Sequence, residues 1–252
     1  ILSADNDFYW YLGKSIYVNS GATLTLDPGS VIKKYADSDA YSNSDNNLDV
    51  YGNLVAIGTP QAPIVFTSVN DGEERTPVPG DWNAIDIQSG GSAVFDYTHI
   101  RYGGYSGSYG SIAARAGSSL SVTNSTLEHS KSVGIRSETG NTSILANTIS
   151  NCGSYGIYIS RGSSDPDNPE ITNNVISDCG SNGIYIIYSS DSGDPIIPII
   201  KNNIINNTGH AVYIITGFAG MAGERTITGN TGSGNTYNAI YFSGNFTGST
   251  IL

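Results

Sequence analysis

Four tyrosines, Tyr158, Tyr185, Tyr213 and Tyr241, recur at offsets of 27, 28 and 28 residues. Each is the middle residue of a short apolar run: Ile157-Tyr158-Ile159, Ile184-Tyr185-Ile186, Val212-Tyr213-Ile214 and Ile240-Tyr241-Phe242. A phenol ring stacks on the C–H face of a sugar while its hydroxyl bonds a sugar hydroxyl, so a column of tyrosines at constant spacing is a candidate ligand surface. The same column also serves as a self-stacked structural ladder, and spacing alone leaves both readings open. Gly134-Ile135-Arg136-Ser137 is a weaker copy of the run. Extending the alignment upstream gives a row of Asp86, Ala113, Arg136, Tyr158, Tyr185, Tyr213 and Tyr241.

Carboxylates cluster near the same repeats. Asp165, Asp167 and Glu170 follow one tyrosine run, and Asp191 and Asp194 follow the next. Such groups can ligate calcium through oxygen, supply an acid/base pair for glycoside hydrolysis, or simply build solvated turns. Asp165, Asp167, Asp191 and Asp194 are the metal candidates, with Ca2+ the ion that oxygen ligands favour. A second acidic stretch runs from Asp37 and Asp39 through Asp45, Asn46 and Asn47 to Asp49, without the fixed Gly and Glu offsets of an EF-hand. His99, His129 and His210 share no repeat slot and have no metal-ligand spacing, so each reads as a single surface or turn residue. Cys152 and Cys179 stand 27 apart, in one slot of neighbouring repeats. They either pair as a disulfide or stack as small apolar side chains. Sequons begin at Asn124, Asn141, Asn206 and Asn245, in a chain where chance matches are expected.

Asparagine marks the repeat a second time. Asn124, Asn147, Asn174, Asn203 and Asn230 recur at offsets of 23, 27, 29 and 27. Stacked asparagines at a turn can bond the backbone and one another, satisfying polar groups that a tight turn strands. No sustained 3.6-residue apolar period is present and no Leu-x-x-Leu-x-Leu pattern, which disfavours helices and leucine-rich repeats. A coil of about 25 residues holds three short strands and three turns, stacked at ~4.8 Å. Alternation then places Ile157, Ile184, Val212 and Ile240, with Ile159, Ile186, Ile214 and Phe242, inside, and the tyrosines outside. The expected fold is all-β: a single right-handed parallel β-helix of about eight to nine coils over residues 1–252, with irregular stretches at 35–47, 70–79, 161–169 and 189–198.

The second half resembles the parallel β-helix repeats of carbohydrate-processing and surface proteins, carried by Asn147-Thr148-Ile149-Ser150-Asn151, Gly156-Ile157-Tyr158-Ile159 and their later copies. The first half resembles the opening coils of microbial cell-surface β-helix proteins. The matching segments run from Gly21 to Gly29, from Gly58 to Ser68, from Asp81 to Ile85 and from Ile100 to Gly104. The resemblance implies a secreted or surface-displayed β-helix, one module of a longer chain among the options. It does not imply one activity, because such repeats serve lyases, hydrolases, adhesins and scaffolds alike.

Composition narrows the classes. Charged residues make up 13% of the chain, against about 25% in an average protein, and the formal net charge is −11. That disfavours nucleic acid and anionic lipid as partners, and no apolar run is long enough to span a membrane. The basic residues expected near the tyrosines are Arg136, Arg161, Lys201 and Arg225, and none sits in a recognisable lyase motif. Polygalacturonase-type β-helices carry a compact aspartate set with Gly-His-Gly, from which Gly209-His210-Ala211 departs. The expectation is polysaccharide binding or adhesion through Arg136, Tyr158, Tyr185, Tyr213 and Tyr241, without catalysis. The alternatives are a structural stalk, or a lyase or glycoside hydrolase of another type.

Overall fold

The computed structural model describes residues 9–34, 47–72, 75–105, 109–160, 168–188, 198–216, 225–244 and 250–251. Among these the chain climbs in coils of three strands. The first coil is β1 (Tyr9–Leu12), β2 (Ile16–Val18) and β3 (Thr23–Leu26); the second is β4 (Val31–Lys34), β5 (Leu48–Val50) and β6 (Asn53–Ile57). The third is β7 (Ile64–Ser68), β8 (Ile85–Ile87) and β9 (Ser92–Asp96); the fourth is β10 (Thr98–Arg101), β11 (Gly110–Ala114) and β12 (Ser119–Thr123). The fifth is β13 (Thr126–Glu128), β14 (Val133–Ser137) and β15 (Thr142–Leu145); the sixth is β16 (Thr148–Ser150), β17 (Ile157–Ser160) and β18 (Glu170–Thr172). The seventh is β19 (Val175–Ser177), β20 (Ile184–Tyr188) and β21 (Ile199–Lys201); the eighth is β22 (Ile204–Asn206), β23 (His210–Thr216) and β24 (Arg225–Thr228). A ninth, partial coil holds β25 (Tyr237–Ser243) and β26 (Thr250–Ile251).

First strands stack only on first strands, second on second and third on third. The result is three parallel sheets of 8, 9 and 9 strands, here sheets 1, 2 and 3 in coil order. This is the expected parallel β-helix, with the expected number of coils. Its core is the set of inward rows. Ile157, Ile184 and Val212 are fully buried, as are Ile186 and Ile214. Ile240 was expected in the same row and has the expected register with Val212. It is 42% exposed because, among the described residues, no coil stacks beyond it. Between 69 and 84 the described chain is irregular, with a lone bridge between Gly72 and Arg75.

The earlier turns from sheet 3 to sheet 1 span 27–30, 58–63 and Tyr97 alone, whereas from β12 onward each is two residues long. The first takes positive φ and the second is a buried polar side chain. The positive-φ residues are Asn124, Ala146, Asn173, Asn202 and Gly229; the buried partners are Ser125, Asn147, Asn174, Asn203 and the less buried Asn230. Asn124 therefore does not belong to the asparagine ladder, and the offset into Asn147 is 22 from Ser125. It is exposed, and its Nδ2 donates to Asp96. The slip has a physical cause. The left-handed position favours Asn and Gly and the ladder position favours a short side chain that bonds backbone, so Asn suits both.

Close packing constrains one glycine slot. Gly156 lies under Ile176 and Cys179, and a Cβ there would meet Ile176 Cγ2 at 2.6 Å and the Gly183 carbonyl at 2.8 Å. Gly156→Ala is expected to lower stability by about 1–3 kcal/mol through overpacking, read as a lower urea midpoint at unchanged slope.

Candidate functional site

Register sets the outward side chains of sheet 2 in columns. One column runs Tyr17, Asp49, Asp86, Ala113, Arg136, Tyr158, Tyr185, Tyr213, Tyr241. The row expected from Asp86 to Tyr241 is thus continuous, and it extends two coils further, to Tyr17.

Its downstream half is aromatic. Tyr158 and Tyr185 stack with centroids 5.4 Å apart, Tyr185 and Tyr213 at 5.4 Å, and Tyr213 and Tyr241 at 4.2 Å, with planes within 23°. The Arg136 guanidinium lies 4.8 Å above the Tyr158 ring and covers its upstream side. Three further rings widen the column. Tyr155 packs against Tyr185 at 4.8 Å. His210 stacks on Tyr237 at 4.5 Å and meets Tyr213 edge-on at 4.9 Å. His210 therefore sits in an aromatic cluster on β23, not alone at a turn, and Asn182 Oδ1 lies 3.2 Å from its Nδ1.

Stacking at these distances means that neighbouring rings overlap face to face. Solvent is offered ring edges and phenol oxygens, one per coil, more than open ring faces. Burial and the neighbouring phenols Tyr155, Tyr158 and Tyr213 raise the Tyr185 pKa above its ordinary value. Tyr213 is raised by desolvation and by its hydrogen bond with Tyr241. Both remain neutral at physiological pH and can donate and accept hydrogen bonds.

The upstream half is ionic and closed on itself. Arg115 reaches across to Asp86 with two bonds, Nε to Oδ1 at 2.8 Å and Nη2 to Oδ2 at 3.1 Å. It also lies 3.6 Å from Glu138, which Arg136 holds at 3.0 Å. Gln88 Nε2 donates to Asp86 at 2.8 Å and to Asp49 at 3.4 Å. Burial works to lower the Arg115 pKa, but the Asp86 bond and charge outweigh it and the net direction is upward. Asp49 is raised by burial and by the Asp86 charge. Asp86 and Asp49 are buried, so this pair of carboxylates is a support beneath the surface and does not face a substrate. Arg115→Met would leave the Asp86 carboxylate buried without its cation, at an expected cost of about 2 kcal/mol in denaturant unfolding.

Several expected residues lie elsewhere. Asp165, Asp167, Asp191 and Asp194 fall outside the described residues, as do Arg161 and the stretch from Asp37 to Asn46. Glu170 begins β18 and lines a shallow groove of about 380 Å³ on sheet 3 with Ser121, Asn141 and Ser143, away from the tyrosines. Lys201 and Arg225 belong to sheet 3, so of the expected cations among the described residues Arg136 is the one that lies against the aromatic column. Among the described residues no three His, Cys, Asp or Glu side chains converge as a metal site.

Cys152 and Cys179 carry free thiols, both buried. They occupy matching slots of adjacent coils, where Gly180 N–H bonds the Cys152 carbonyl at 2.9 Å. Contact with Cys179, then burial, pushes the Cys152 thiol well above its ordinary value. Because the thiolate is the reactive form, Cys152 is protected by its raised pKa. The Cys179 thiol is lowered by its contact with Cys152 but is shielded by burial, so neither cysteine is expected to alkylate in the native state. Iodoacetamide labelling before and after denaturation, read by mass, checks this.

Residues 81–195 match the family model described as "Right handed beta helix region". This stretch is a right-handed β-helix. The helix compares over 90% of this chain with 52% of the Dettilon tailspike protein (gp208) crystal structure, at a TM-score of 0.46 and 17% identity. The chain thus spans about half the length of that protein. No curated protein matches it. No helix among the described residues is long and apolar enough to cross a membrane.

Proposed function

We propose that this β-helix is a secreted or surface-displayed binder of an extended, uncharged polysaccharide, held along the aromatic column of sheet 2 without cleavage. The observation that carries the reading is the unbroken column from Arg136 through Tyr158, Tyr185 and Tyr213 to Tyr241 on a rigid sheet. It presents a phenol at each coil step, a spacing of about 4.8 Å, comparable to the rise of an extended glycan. A net charge of −11 works against polyanionic ligands. The ionic half of the column is internally paired, which leaves it no free cation to grip a sugar carboxylate. The described carboxylates of the column are buried and bonded, which is why binding is preferred to hydrolysis.

One observation favours a second reading, a stalk with no ligand: the tyrosines spend much of their ring faces on one another. Retention on insoluble neutral polysaccharides, with and without calcium and with product analysis, separates the readings. Retention without new reducing ends or unsaturated products supports binding. Products would make the chain an enzyme, and no retention on any glycan would leave the stalk. Dependence on calcium would bring in the acidic stretches around Asp165 and Asp191.

A further inference from the structure

Among the largest fully buried side chains of the described residues, Lys34 alone is ionisable. It ends β4, and its Nζ donates to the backbone carbonyl of Asn47 at 3.1 Å. Asn47 leads into β5 and is itself buried. Its carboxamide is gripped at both ends: Oδ1 accepts from Asn83 Nδ2 at 2.8 Å, and Nδ2 donates to Asp49 Oδ1 at 3.5 Å. Burial lowers the Lys34 pKa to about 8, with the Asp49 charge opposing. Burial and Asp86 raise that of Asp49.

These four residues supply the parts of an amide-exchange centre. A buried amine that sheds its proton near neutrality is a nucleophile. An N–H aimed at the carboxamide oxygen polarises the carbonyl and steadies the oxyanion formed on attack. A carboxyl beside the amide nitrogen, with a raised pKa, can take a proton from the attacking amine and return it to the departing nitrogen. Water, which would compete by hydrolysis, is largely excluded. The amine is bonded to the backbone carbonyl of Asn47, the residue whose carboxamide it would attack.

We propose that Lys34 and Asn47 join in an intramolecular isopeptide bond. Nζ bonds to Asn47 Cγ and the Cγ–Nδ2 bond breaks. One amine proton passes through Asp49 to the leaving nitrogen, which departs as ammonia. The exchange is balanced and needs no oxidant, metal or second substrate. The bond ties the end of β4 to the start of β5 and closes residues 34–47 into a covalent ring. It would staple the second of the described coils. It stands independently of the glycan reading.

The test is the denatured intact mass of the full chain. The expected mass is below that of the sequence by one ammonia, with a branched proteolytic peptide joining Lys34 to Asn47. Lys34→Met should restore the full mass, and Asp49→Asn should leave most chains unlinked. A succinimide at Asn182-Gly183 would cost the same mass, but it would persist in Lys34→Met and hydrolyse in mild base. A wild-type chain of full mass, or a deficit untouched by Lys34→Met, overturns the proposal. The wild-type peptide map decides it even where a variant folds poorly.

Discussion

Asn174→Ala is expected to lower the unfolding free energy by about 3–4 kcal/mol, whereas Asn124→Ala is expected to lower it by only about 1 kcal/mol. Asn174 is fully buried and carries four side-chain bonds. Its Oδ1 accepts from the backbone N–H and the Nδ2 of Asn147, at 2.9 and 3.0 Å. Its Nδ2 donates to the Ile144 carbonyl at 2.9 Å and to Asn203 Oδ1 at 3.0 Å. Truncation strands groups in two neighbouring coils that no water can reach, and each buried orphan costs about 1–3 kcal/mol. Partial relaxation keeps the total below their sum. Asn124 is exposed, with one side-chain bond to Asp96, so the strain of alanine at its positive φ is the main cost. Ala146 adopts the same conformation one coil later. Urea unfolding of both variants measures the contrast. Equal losses would mean that the ladder includes Asn124 after all.

The same pair of positions shows where sequence reading succeeds and where it stops. The tyrosine column is in the expected register at every coil, because a one-residue slip would turn the apolar row outward and the pattern forbids it. At the turn no such penalty separates Asn124 from Ser125, and the alignment slipped by one. Tyr155, Asn182, His210 and Tyr237 fall near one slot, but the slot is chemically mixed and so leaves no repeat to notice. A register shift between His210 and Val212 against β25 displaces Tyr237 by a further residue. An aromatic or His one residue before the Gly/Ala-Ile/Val-Tyr run was the available signal, in Tyr155 and His210. Arg115, Gln88 and Glu138 were missed for a different reason. They act as one network because three strands bring unlike residues together, and periodicity is blind to unlike residues. The coil count and the three sheets were legible because stacking repeats the same demand for an inward β-branched residue and a turn residue in every coil.

Replacing both Tyr185 and Tyr213 with Ala is expected to weaken polysaccharide retention roughly 10- to 100-fold, about 1–3 kcal/mol in binding. The ring geometry adds a sharper expectation. If the rings contributed open faces, Phe at both positions would keep most of the affinity, because phenylalanine stacks as well as tyrosine. The faces are instead turned toward each other at 5.4 Å, so the hydroxyls are the groups left to meet a sugar. The Tyr185→Phe/Tyr213→Phe variant should therefore lose nearly as much retention as the Ala pair while keeping its stability. The Ala pair should lose about 0.5–1.5 kcal/mol of stability for each ring contact removed. Affinity electrophoresis in a neutral polysaccharide gel, paired with urea unfolding, separates these effects. Full retention by the Phe pair would sink the hydroxyl comb and return the site to ring faces at the exposed Tyr237 and Tyr241 end. Unchanged retention by the Ala pair would move the ligand off this column altogether. Sheet stability and ligand grip thus draw on different atoms of the same side chains, and the hydroxyl-only substitution is the change that tells them apart.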